Sequence, residues 1–294
     1  MTPWTEDQSD IGGTGGRPGA VGFLTDTTLC IGCKACEVAC KEWNQLPAEL
    51  DDAGPRLTGF SYDNTVDLGA TTWRHVAFVE RTPPASSSVS FSAIVPDAAL
   101  AQAPPVAWLM MSDVCKHCVH AGCLEACPTG AIIRTEFDTV VIQQDICNGC
   151  GYCVPACPFG VPQLGTTDHR AHKCTLCYDR LVEGLEPACA KACPTDSIQF
   201  GLVAELLPRA VDRVAELRAR GEAGAHLYGD RRVGGTHGID GLNALFVLTA
   251  SPETYNLPAA PRLPQDKVLP ALLSTAATAI GLGLVALAAL RNRR

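Results

Sequence analysis

The residues of this chain best suited to chemistry are its sixteen cysteines, and they fall into four spaced runs. Group I is Cys30, Cys33, Cys36 and Cys40, spaced C-x2-C-x2-C-x3-C. Group II is Cys115, Cys118, Cys123 and Cys127, spaced C-x2-C-x4-C-x3-C. Group III is Cys147, Cys150, Cys153 and Cys157, with the spacing of group I. Group IV is Cys174, Cys177, Cys189 and Cys193, spaced C-x2-C-x11-C-x3-C. Three of the runs continue with proline, at Pro128, Pro158 and Pro194. Three thiolates on one tight loop can cap three corners of a four-iron cubane. A fourth, one helical turn further on, points away and serves the other cluster of a pair. Proline after it has no N–H and a fixed φ, so the chain turns off there. The small residues Gly32, Ala35, Gly149 and Gly151 let backbone amides approach the sulfurs.

Two other chemistries use many cysteines. A disulfide scaffold is a device of short secreted domains, and cysteines there are not grouped at metal-ligand spacing. Structural zinc also takes four ligands per ion. Zinc sites seldom repeat three thiolates within seven residues with a C-x3-C-P ending, so the spacing favours iron. Sixteen thiolates make four [4Fe–4S] clusters with no cysteine left over. A zinc-stabilised, membrane-tethered interaction module is the rival of a different class. It would be colourless, where thiolate-ligated iron is brown.

The elements between the runs must pair them. Ala131–Arg134 and Thr139–Ile142, with Asp138 at the turn, read as a β-hairpin between groups II and III. That joins II and III into one module. Cys115, Cys118, Cys123 and Cys157 would then hold one cluster (D), and Cys147, Cys150, Cys153 and Cys127 the next (C). Groups I and IV are left for each other. Cys30, Cys33, Cys36 and Cys193 would hold cluster A, and Cys174, Cys177, Cys189 and Cys40 cluster B. Spacing alone leaves the sequential pairing, I with II and III with IV, open.

The fold class expected is α+β: two nested ferredoxin-like dicluster modules, a β-containing insertion and a single C-terminal transmembrane helix. Residues 1–20 read as a flexible Gly- and Pro-rich tail without the apolar run of a secretory leader. The four-cluster domain covers 21–201. Its outer module is 21–44 with 168–201, its inner module 113–165 and its insertion 45–112. In the insertion, Trp73–Arg81 alternates as a strand and Ser90–Val95 reads as another. Residues 202–266 are expected to form a helix, Pro208–Arg220 with a buried stripe of Val211, Val214 and Leu217, and then an extended partner-binding segment. Val268–Leu290 lacks any charge. At about 1.5 Å per residue it is long enough to cross a bilayer. Arg291, Arg293 and Arg294 follow it, against Arg262 and Lys267 before it. The positive-inside rule then puts the C-terminus in the cytoplasm and the cluster domain outside. The formal charge of −8 argues against a nucleic-acid partner.

Several of these stretches resemble the iron–sulfur (β) subunit of membrane-bound respiratory formate dehydrogenases. Thr25–Thr27 with Cys30–Asn44 is similar to that family's first motif. So are Lys173–Arg180 with Glu186–Cys189, and, outside the cysteine runs, Gly234–His237 and Pro252–Pro258. The likeness runs from about residue 21 to the end, and it favours the nested pairing. It implies a molybdenum- or tungsten-pterin catalytic subunit that oxidises formate and carries a twin-arginine export signal. It also implies a membrane cytochrome b subunit that reduces quinone, and anchoring through 268–290. Electrons would pass from the group I cluster through those of groups IV and III and leave from that of group II. The same module serves other molybdopterin oxidoreductases and hydrogenases. Nothing in the chain reads as a nucleophile, an acid–base pair or a pterin pocket, so the formate chemistry belongs to another chain. His117, His120 and the lysines beside ligands (Lys34, Lys116, Lys173, Lys191) read either as tuning groups or as solvated neutralising charges. His237 reads as fixing the extended segment.

Overall fold

A computed structural model describes residues 19–48, 63, 65–81, 107–231 and 239–291. The chain opens with β1 (Val21–Asp26) and α1 (Ala35–Trp43), which carries the end of group I. Next come β2 (Arg74–Arg81) and β3 (Ala107–Val114), an antiparallel ribbon registered from Arg74 opposite Val114 to Arg81 opposite Ala107. The inner module contains α2 (Gly122–Glu125), β4 (Ile132–Arg134), β5 (Val140–Ile142) and α3 (Cys153–Ala156). It is followed by the short pair β6 (Gln163–Leu164) and β7 (Ala171–His172). Group IV is spread over α4 (Tyr178–Val182) and α5 (Ala188–Lys191). The remainder is β8 (Ile198–Leu202), α6 (Val203–Ala219), β9 (His226–Tyr228), β10 (Ala244–Leu248) and α7 (Val268–Arg291).

The hairpin between groups II and III forms as β4 and β5, with Asp138 left-handed at the turn. Arg134 locks that turn. Its guanidinium donates to the Asp138 carboxylate at 3.1 Å and to the Cys118 and Val119 carbonyls at 2.8 and 2.6 Å. The hairpin is thereby tied to the group II loop.

For residues 202–266 the structure adds one feature and corrects one expectation. First, part of this stretch joins the main sheet. A four-stranded sheet has the order β8–β1–β10–β9, with β10 parallel to β1 and β8 antiparallel to it. β8 runs through the boundary placed at 201, and β10 is wholly buried beside β1. Ala244–Leu248 is a continuous apolar run, as a strand covered on both faces requires. Second, α6 begins five residues before Pro208, which sits inside the helix. The real stripe is Val203, Leu206, Ala210, Val214 and Leu217, while Val211 is exposed. That stripe packs on Leu24, Leu245 and Val247 from one face of the sheet. Each fully buried Leu here contributes about 2 kcal/mol. The other face, with Phe23 and Phe246, packs toward the cysteines through Leu176 and Leu181.

α7 is apolar and exposed along its length, and it is the one membrane-span candidate among the described residues. Its root is fixed to the inner module. Leu263, fully buried, reaches within 3.0 Å of the place a Gly122 Cβ would occupy. The expected strand at 90–95 and His237 lie outside the described residues.

Candidate metal centres

All four groups are built on one turn. The residue before the second cysteine is left-handed each time: Gly32 (φ 65°), His117 (43°), Gly149 (73°) and Leu176 (58°). At two of these only glycine fits. A Cβ on Gly32 would stand 2.6 Å from the Phe78 ring, and one on Gly149 would stand 2.2 Å from the His169 carbonyl oxygen. His117 and Leu176 hold the same turn with a side chain, at a strain of roughly 1–2 kcal/mol each. The turn aims backbone N–H groups at sulfur, as in Leu176 N–H donating to Cys174 Sγ at 3.2 Å.

The thiols gather in quartets. Cys30, Cys33, Cys36 and Cys193 line a cavity with about 290 Å³ of atom-free space, closed by Val76, Ser112 and Ile198. Cys115, Cys118, Cys123 and Cys157 line a second, of about 350 Å³, with Lys116, His117 and Lys173 in its wall. Cys127, Cys147, Cys150 and Cys153 line a third, of about 280 Å³. Cys40 meets Cys174, Cys189 and Cys177 in the core. Burial pushes its thiol far up, and charge on those three neighbours pushes it further. The last cysteine of each run therefore stands among thiols of another run. None of the sixteen forms a disulfide.

The quartets form a file. The Cys36 thiol feels Cys189, so the first quartet adjoins the Cys40 quartet. Outside its own quartet, Cys174 is influenced by charge on Cys115 of group II. Cys123 in turn feels Cys153. These couplings link the quartets in the sequence A, B, D, C, whereas the expected route placed the group III site before the group II site. Lys173 ties the group IV run to the hairpin, its ammonium donating to the Val140 and Cys174 carbonyls. The group III quartet is the far end.

Burial follows the same order. Cys40, Cys174, Cys177 and Cys189 are all buried, whereas the two end quartets each expose one thiol, Cys33 and Cys150. Desolvation raises Cys36 and Cys177 to about 11 and Cys123 to about 12. At the open end Cys127 goes the other way. Its slight desolvation is outweighed by hydrogen bonds from the Thr129 hydroxyl and the Ile132 and Thr129 amides, which lower it.

Of the charged neighbours, Lys116 and Lys173 are buried rather than solvated. Lys116 pairs with Asp113 and lies over the Phe159 and Phe246 rings. Lys34 pairs with Glu37, and Lys191 is exposed beside Glu186. His117 is buried. Its Nδ1 accepts from Val140 N–H at 3.0 Å, which leaves the proton on Nε2, and that atom has no partner. His120 is exposed. Arg74 is a further residue at these sites that the sequence reads only as part of a strand. It is 1% exposed and lies between the first two quartets.

The donor set fits four-iron clusters better than single ions. Four thiolates on one zinc converge to within about 4 Å of each other, given Zn–S bonds near 2.3 Å. Among the described residues no group of three or more Cys, His, Asp or Glu side chains converges tightly enough for one metal ion. The thiols stand around voids instead.

Mixed helix and strand with cysteine quartets on repeated turns defines a ferredoxin-like iron–sulfur protein, and the 4Fe-4S dicluster domain family matches residues 106–203. The cofactors are [4Fe–4S] clusters, and sixteen cysteines are the complement of four. The nitrate-inducible formate dehydrogenase iron-sulfur subunit of Escherichia coli is 42% identical over 247 residues, 83% of this chain and 74% of that protein. The formate dehydrogenase iron-sulfur subunit of Haemophilus influenzae is 39% identical over 269 residues, 90% of this chain and 77% of that protein. One polypeptide of the anaerobic dimethyl sulfoxide reductase of Escherichia coli is 31% identical over 194 residues, 66% of this chain and 79% of that protein. The chain belongs to the family of formate dehydrogenase iron-sulfur subunits, and it is an electron-transfer subunit.

Proposed function

We propose that this chain carries electrons from a formate-oxidising pterin subunit, containing molybdenum or tungsten, to a membrane cytochrome b and quinone. Cys30, Cys33, Cys36 and Cys193 would hold cluster A. Cys40, Cys174, Cys177 and Cys189 would hold B. Cys115, Cys118, Cys123 and Cys157 would hold D, and Cys127, Cys147, Cys150 and Cys153 would hold C. Each bound cluster supplies a one-electron couple. The protein's own work is to hold the four in file, keep water from the middle two and present the end two at the surface.

One observation carries this reading: thiols are exposed only in the terminal quartets, and the apolar helix is rooted beside the inner module. The A end is then the end for the catalytic partner and the C end the one for the membrane partner. Ile31 in the group I run and Val38 just after Cys36 are exposed apolar side chains, as are Ile146 and Tyr152 in and beside the group III run. Such residues mark surfaces that meet another protein. α7 would span the bilayer, with the arginines after it cytoplasmic and the cluster domain outside. The nested outer and inner modules of the sequence reading belong to this proposal.

Purification through a tag on this chain tests it. A formate-oxidising pterin protein and b-type haem should co-purify, with formate-to-quinone activity. Co-purification of a sulfoxide-reducing or hydrogen-oxidising subunit instead would replace formate as the electron source.

A further inference from the structure

Arg74 is the largest fully buried side chain of the described residues, and it has no carboxylate partner among them. One terminal nitrogen donates to the Ser112 carbonyl at 3.2 Å and approaches its hydroxyl at 3.4 Å. The other lies 3.2 Å from Cys189 Sγ. Ser112 Oγ is itself 3.2 Å from Cys36 Sγ. The guanidinium carbon stacks 4.6 Å from the Phe23 ring centre, and Nε has no partner. Of the buried carboxylates of this region, Glu37 is engaged by Lys34, His75 and the Val76 N–H, and Asp63 by His75.

An isolated cation buried this deeply costs several kcal/mol unless a nearby anion offsets it. The charges that act on it most strongly are the thiolates of two quartets: Cys189 and Cys174 on one side, and Cys36 on the other. A [4Fe–4S] core with four thiolates carries about −2 in its oxidised state and one more negative charge when reduced. A fixed positive charge favours the more negative form and so raises the potential. In a water-free site the effect is weakly screened.

We infer that Arg74 is a fixed countercharge shared by clusters A and B, holding the reduction potentials of both above the values their burial would give. This rests on the proposed ligand sets. Arg74 is a positioning residue for electrons: it touches ligand sulfur and Ser112, not a substrate. It also explains the ribbon formed by β2 and β3. That ribbon brings Arg74 and Ser112 to the seam between group I and group IV, two segments far apart in sequence.

The test is a redox titration of the purified complex containing this chain, followed by low-temperature EPR, with wild type, Arg74→Lys and Arg74→Gln. The expected result is that two of the four midpoint potentials fall in R74Q while the other two, those of D and C, stay. R74K keeps the charge but loses the fork that spans Ser112 and Cys189, so the same two potentials fall by less. If R74Q does not assemble, the R74K shift decides, and potentials equal to wild type overturn the inference. An equal fall of all four also overturns it, because that is the signature of general loosening. A wild-type complex without four-iron signals would overturn the cluster reading and this inference together, whereas four clusters with unmoved potentials overturn this inference alone.

Discussion

The middle of the file and its two ends are built from the same loop and differ in everything around it. The B quartet has four buried thiols, flanked by the buried guanidinium of Arg74, which meets Cys189 Sγ, and by Lys173, whose ammonium donates to carbonyls. The end quartets each show one thiol to the surface, with exposed apolar side chains nearby in sequence, Ile31 and Tyr152 among them. One motif thus serves two purposes. In the middle, the protein must offset charge it has removed from water. At the ends, it leaves one thiol exposed, where the proposed partners would meet it.

The largest expected difference comes from removing ligands. Cys174→Ala at the middle should abolish accumulation of the folded chain, because it empties a corner of the core. Cys150→Ala at the open end should leave a folded chain that has lost one cluster. Membrane immunoblots with iron-to-protein ratios check both. Equal loss of protein in the two variants would erase the distinction between middle and end.

Next in size is Lys173→Met. It leaves the Val140 and Cys174 carbonyls without their donor and removes a buried charge, which should cost about 3 kcal/mol. Lys191→Met, with a side chain 72% exposed, should cost less than about 0.5 kcal/mol. Thermal unfolding of the purified complex reads the contrast.

How much of this was legible beforehand follows the same division. The cysteine runs show their chemistry because ligand spacing is local, and the hairpin shows because Asp138 and the flanking β-branched residues are local too. The β8–β1–β10–β9 sheet was hidden because β1 and β10 are distant in sequence and Ala244–Leu248 lacks alternation. Arg74 was hidden for a similar reason. It sits in an alternating strand beside His75, and nothing in the sequence says that one is brought to a sulfur 115 positions away. The order of the quartets depends on which loops touch, and spacing does not encode that.

A smaller effect should follow from Trp43→Ala on the exposed side of the B quartet. Its indole N–H donates to Asp179 at 2.8 Å, and Arg180 stacks 4.2 Å from its ring, clamping α1 to α4. The site is partly exposed, so the loss should be about 1 kcal/mol. A loss as large as that of Lys173→Met would mean the exposed rim is as tightly built as the buried core.

The smallest effect, and the sharpest in sign, is pH. Without clusters, Cys36 and Cys177 stand near 11 and Cys123 near 12, above their ordinary value of 9.0. Raised thiols contribute stability that is complete below pH 9.0 and is lost as pH climbs through 11 and 12. Chelator-stripped protein should therefore lose structure by circular dichroism between those values. The cluster-loaded chain, whose thiols are already thiolates, should not.

The central claim is the order A, B, D, C with C at the membrane end. The most direct measurement uses the complex carrying Cys150→Ala, reduced with formate and examined by EPR alongside quinone reduction. The order predicts that A, B and D become reduced while haem and quinone do not. Haem and quinone reduced at the wild-type rate would place the group III site off the path and contradict the account.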